Sequence, residues 1–126
     1  MTVENMDTKI ELVQVLDLDI LEQYTQAIGG KVLLGSVDLF AEQYPQYLNI
    51  LKQHFNNGDY DLTAAEGHKM KGAAGSIGLA RLALWGQMIQ SRDQDQWIEN
   101  TAKIIKLLEN SYVSDIETLR QYLNNC

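Results

Sequence analysis

Proline and cysteine are nearly missing: the 126 residues contain one of each, Pro45 and Cys126. One cysteine excludes an internal disulfide and any zinc site built on paired cysteines, and it suits a reducing, cytoplasmic setting. No run of about 18 apolar residues exists, so nothing here spans a membrane. The opening stretch Met1–Ile10 is polar and mixed in charge, unlike a signal peptide. Cations are outnumbered, with 10 Lys and Arg against 17 Asp and Glu and a net charge of −7. An acidic chain lacks the broad basic surface that nucleic acid demands, so nucleic acid is not an expected partner. With two histidines and no Glu-x-x-His pair, a metal-storing bundle fails on ligands, and no metal site is expected. No Gly-x-x-x-x-Gly-Lys-[Ser/Thr] loop is present, so the chain has no nucleotide site of its own.

What is present is an ordinary globular balance, 45% hydrophobic and 21% charged, in a length that suits one domain with one core. Apolar residues recur at helical spacing almost everywhere and β-branched alternation is scarce, which predicts an all-α protein. A lead-in over 1–16 precedes a helical bundle over about 17–124. The first helix is capped by Asp17 or Asp19, carries Leu18, Leu21, Tyr24 and Ile28, and stops at Gly29-Gly30. A second begins near Lys31 and is interrupted by Pro45, or restarts there. Asn56-Asn57-Gly58-Asp59 is a turn. A third helix runs from about Leu62 to Ile77, a fourth from Leu79 to about Gln90, and a long last one from about Asp95 to Leu123. Short connections favour antiparallel neighbours and hence a bundle. Tyr44, Tyr47, Trp85 and Trp97 read as packing residues, and His54 as a cation near a helix C-terminus.

Charge is unevenly spread. Gly67 to Arg92 holds no acidic residue but has Lys69, Lys71, Arg81 and Arg92, leaving −11 for the rest. Such a patch suits a small anionic target or an acidic protein partner; clustering of solvated cations by chance is the plainer account.

The third helix contains Glu66-Gly67-His68-Lys69-Met70-Lys71-Gly72-Ala73-Ala74-Gly75-Ser76-Ile77-Gly78. Four glycines here are odd, since each mid-helix glycine costs roughly 1 kcal/mol relative to alanine. With His68 at 0° and ~100° per residue, Leu62, Met70, Ala73 and Ile77 fall opposite it as a core face. Gly72 and Gly75 lie beside His68 and Lys71 flanks it. Two explanations stay open. Gly72 and Gly75 let a neighbouring helix pack closely and His68 is a surface residue; or His68 is a nucleophile that the glycines leave accessible. Neutral imidazole attacks phosphorus near pH 7, free histidine having a pKa of about 6.5. Lys71 and Lys69 would then offset phosphoryl charge.

The run His68 to Gly78 closely resembles the His-x-[apolar]-Lys-Gly-[small]-[small]-x-x-[apolar]-Gly signature of histidine-containing phosphotransfer (Hpt) domains. Leu21-Glu22-Gln23-Tyr24 and Gly86-Gln87-Met88-Ile89-Gln90-Ser91 extend the likeness over nearly the whole chain, to the type of Hpt domain that ends a hybrid sensor kinase. The resemblance implies an antiparallel four-helix bundle with an additional short N-terminal helix. It implies a phosphorelay intermediate, in which His68 takes a phosphoryl group from a receiver aspartate and passes it to another. It matches Gly72 to the glycine that keeps the histidine accessible, Lys71 to the lysine beside it, and Gln90 to a glutamine that holds the imidazole. Expected partners are receiver domains of the parent hybrid kinase and of a response regulator, docking on the third and fourth helices around Lys69, Lys71, Gly75, Arg81 and Gln90. The expected cofactor is none in this chain, Mg²⁺ being supplied by the receiver, and the expected setting is a cytoplasmic monomer without membrane contact. A non-catalytic helical adaptor is the alternative. A histidine kinase's own dimerisation helix fits less well, since there an acidic residue follows the histidine and here Lys69 does.

Overall fold

The computed structural model describes residues 14–126. Among these described residues there are five helices: α1 Leu18–Ile28, α2 Gly30–Asn56, α3 Tyr60–Ser76, α4 Ala80–Gln90 and α5 Trp97–Asn124. Residues 1–13 of the lead-in lie outside the described residues. Helices α2 to α5 form the antiparallel four-helix bundle, with contacts α2–α3, α3–α4, α4–α5 and α5–α2 closing the ring. The short α1 packs on α2.

The cap of α1 is Asp17, not Asp19. Its carboxylate accepts from the Ile20 N–H at 3.2 Å, taking up one of the orphan donors of the first turn. Leu21, the buried residue of α1, sits against Gly78. Gly78 has φ +81°, a left-handed backbone, and a Cβ there would fall 2.6 Å from Leu21 Cγ. Only glycine suits both demands. The Asp17 N–H donates to the Gly78 carbonyl at 2.9 Å, and the Val15 carbonyl accepts from the Arg81 N–H at 3.3 Å. The segment before α1 is thus pinned to the α3–α4 turn.

Pro45 does not interrupt α2. The helix runs for 27 residues through it. Its buried stripe of Leu33, Val37, Phe40, Tyr44, Leu48 and Leu51 keeps helical spacing on both sides, while Pro45 itself is exposed. Packing of the stripe outweighs one lost backbone hydrogen bond. Helix α5 starts at Trp97, two residues later than the sequence suggests, because Gln96 turns left-handed with φ 60°. The Trp97 indole N–H donates to the Ile89 carbonyl at 2.8 Å and locks α5 to the end of α4. Trp85 and Tyr44 are fully buried; each large apolar side chain so placed contributes roughly 1.5–3 kcal/mol.

Candidate functional site

Helix α3 starts at Tyr60 and ends at Ser76. Its buried residues are Thr63, Glu66, Gly67, Met70 and Ala74. Leu62, expected in the core, is 51% exposed. Stepped at ~100° per residue, the buried set centres roughly 55° further round than the face read from the sequence. The reason is Gly67. A Cβ at Gly67 would lie 2.9 Å from the Gly86 carbonyl oxygen and 2.9 Å from the Gln90 nitrogen. A Cβ at Gly86 would lie 2.7 Å from the Lys71 nitrogen. These two glycines let the α3 and α4 backbones touch, and that contact rolls α3 toward α4. Thr63 and Glu66 go inward with it. The Thr63 hydroxyl donates to the Asp59 carbonyl at 2.9 Å, and Glu66 reaches Lys69 at 3.5 Å.

The rotation leaves His68 exposed. Gly72, one turn on, is also exposed, and a Cβ there would meet nothing within 4 Å. At Gly75 a Cβ would meet only the Ala83 methyl at 3.7 Å, an ordinary contact. Close helix packing therefore belongs to Gly67 and Gly86. It does not account for Gly72 or Gly75. The sequence reading missed Gly67 and Gly86; both were visible as mid-helix glycines, but their pairing needs the α3–α4 register.

The four cations of the acid-free stretch separate. Arg81 is not a free surface cation. Its guanidinium forks onto Asp115 of α5, donating from Nε at 3.1 Å and also from Nη2, and it stacks over the Trp85 ring at 5.3 Å. Asp115 is fully buried, so Arg81 neutralises it and joins α4 to α5. Lys69 pairs with Glu66, and Arg92 pairs with Asp61. Lys71 is exposed, near His68, and without an ion pair among the described residues. Gln90 ends α4 beside Gly67. No hydrogen bond joins it to His68; its Oε1 is buried and has no hydrogen-bond partner. Among the described residues, then, the structure gathers His68, Lys71, Gly72, Gly75 and Gln90 at one edge of the α3–α4 pair, and ties the half-buried Arg81 to Asp115 of α5. No helix among them is long and apolar enough to cross a membrane.

Comparison with known proteins agrees with this geometry. The Hpt domain family model matches residues 35–124. Aerobic respiration control sensor protein ArcB of Escherichia coli O157:H7 is 36% identical over 109 residues, which is 86% of this chain. Its counterpart in Escherichia coli strain K12 is 35% identical over the same length. The chain spans 14% of the length of these relatives. Among solved structures, the histidine-containing phosphotransfer domain of ArcB from Escherichia coli matches with a TM-score of 0.86 and 34% identity, over 88% of this chain and 94% of that one. A solution structure of the same domain of anaerobic sensor kinase ArcB matches with a TM-score of 0.81, over 87% and 88%. The likeness runs through sequence and fold alike and reaches far beyond the surroundings of His68, and the chain therefore belongs to the Hpt domain family.

Proposed function

We propose that the chain is a phosphorelay intermediate whose carrier is His68. One imidazole nitrogen attacks the phosphorus of an aspartyl phosphate on a receiver domain. The N–P bond forms as the acyl P–O bond breaks, and the aspartate carboxylate leaves with the electron pair. The phosphoryl group then passes, by the same exchange, to the aspartate of a response regulator. The observation that carries this reading is the open face around His68, exposed at Gly72 where a side chain would meet no neighbour. Catalysis needs the imidazole held and reachable, with charge stabilisation near the moving group. Gln90 Oε1, a buried acceptor without a partner, suits an imidazole N–H; accepting it fixes the ring and leaves the other nitrogen free to attack. Lys71 lies one turn on and offsets phosphoryl charge. Magnesium and the rest of the stabilisation come from the receiver. The setting is cytoplasmic, on the model of the sensor proteins it resembles, with receiver domains of a hybrid kinase and a response regulator as partners.

The test is transfer from receiver domains of the same organism, phosphorylated with acetyl phosphate, to wild type and to His68→Gln. Acid-labile, base-stable label on wild type alone is expected. A folded wild type that no receiver labels would instead favour the adaptor, and label on both would assign the carrier to another residue.

A further inference from the structure

Arg92 occupies a position that phosphoryl transfer to His68 does not by itself require. It follows Gln90 in the α4–α5 connector, and its guanidinium lies over two rings, Tyr60 at 5.8 Å and Trp97 at 6.0 Å. Those rings belong to one cluster with Phe55, at centroid separations of 5.5 to 6.3 Å. Trp97 is buried and anchored through its N–H. Carried over these rings, the guanidinium has less entropy to lose when a second carboxylate binds than a fully solvated arginine would. Its counter-ion is not of the same kind. Asp61, the paired carboxylate, has a side chain 92% exposed, against 43% for Arg92. An exposed pair of this sort contributes about 0–1 kcal/mol, so another carboxylate can replace Asp61 at small cost.

The placement matters because Asp61 shares the face of His68. Seven residues separate them, which at ~100° per residue is 20° off and about 10 Å along α3. Between them on this face stand Ala64 and Ala65, too small to obstruct a partner. We infer that Arg92 is a second docking anchor for the receiver. On binding, a carboxylate on the receiver's docking surface displaces Asp61 from Arg92 while the phosphoacceptor pocket sits over His68 and Lys71. This rests on the phosphorelay reading and adds a specificity determinant to it: the partner must present an acidic group that reaches Arg92 while its phosphorylated aspartate faces His68.

The experiment measures kcat/KM and kcat for transfer to His68 from a receiver phosphorylated with acetyl phosphate, across salt concentrations, with thermal melting as a folding control. Arg92→Gln is expected to lower kcat/KM at low salt about threefold or more with kcat retained, and to flatten the salt dependence. Arg92→Lys restores most of the loss. Asp61→Asn, which frees Arg92, raises kcat/KM about twofold, while Asp93→Asn, which removes an equal exposed charge nearby, does not. In an Arg92→Gln background the gain from Asp61→Asn vanishes. A folded Arg92→Gln chain that reacts like wild type overturns the inference and leaves the phosphorelay reading intact. So does a gain from Asp61→Asn that survives without Arg92, since that is general charge repulsion. Absence of label on the wild type from any receiver overturns both.

Discussion

A methyl group at position 72 meets nothing within 4 Å, whereas one at position 67 or 86 falls 2.7–2.9 Å from its nearest neighbour atoms on the adjacent helix. The same residue type thus has opposite meanings five residues apart on one helix. Gly72→Ala is compatible with the helix and should raise stability by up to about 1 kcal/mol. Gly72→Leu should leave the melting temperature near that of wild type while slowing transfer to His68 by about tenfold or more, because its side chain crowds the approach of a receiver. Gly67→Ala and Gly86→Ala should behave in reverse, lowering the melting temperature by forcing α3 and α4 apart. A Gly72→Leu protein with full transfer activity would sink the access argument. From sequence, the wheel placed Gly72 and Lys71 beside His68 correctly, since helix geometry is local. It misplaced Leu62, because nothing local says that a glycine contact on α4 will roll α3.

Helix α2 illustrates how an element overrides its own residues. Gly35 and Pro45 both lie mid-helix and exposed, and both disfavour the conformation they adopt. The six-residue buried stripe holds them there. Gly35 has open space at its Cβ position. Gly35→Ala should therefore stabilise the chain by about 1 kcal/mol, and Pro45→Ala should do likewise by restoring the N–H that proline lacks. Both are read as a rise in denaturation midpoint with unchanged transfer activity. A fall in midpoint for Pro45→Ala would mean that the proline ring packs in a way its exposure conceals. The expectation of a break at Pro45 failed because a proline rule describes an isolated helix, and this one is held along its length by α3 and α5.

Across the whole molecule, one buried phenol bears on the alkaline limit of stability. The Tyr44 phenol is fully buried. Burial first, then the charge of Asp115, then Tyr112, push its pKa well above the ordinary tyrosine value. In the unfolded chain a tyrosine loses its proton near pH 10. The native state keeps the proton where the unfolded state has lost it, so this contribution is complete below about pH 10 and declines as pH rises beyond it. Denaturant titrations from pH 8 to 11.5 should show the decline, and Tyr44→Phe should reduce its slope by about 1.4 kcal/mol per pH unit at the alkaline end. At pH 7 the same change should be neutral or mildly stabilising, since the hydroxyl has no hydrogen-bond partner. An undiminished slope in Tyr44→Phe would remove Tyr44 from the account.

The chain's own residues determined the helices, most of their limits, and the His68–Gly78 signature with Lys71 and Gly72 at fixed angles around the imidazole. These follow from 3.6 residues per turn, which is the same in any context. The tertiary structure alone decided which glycines pack, which cations remain free, and where Gln90 stands. Arg81 and Arg92 both read from sequence as members of one basic patch; the fold pairs Arg81 with Asp115, 34 positions later, and sets Arg92 against Asp61 and two aromatic rings. Ion pairs and backbone contacts between helices depend on register and rotation in the bundle, and those are settled by the packing of all the helices at once.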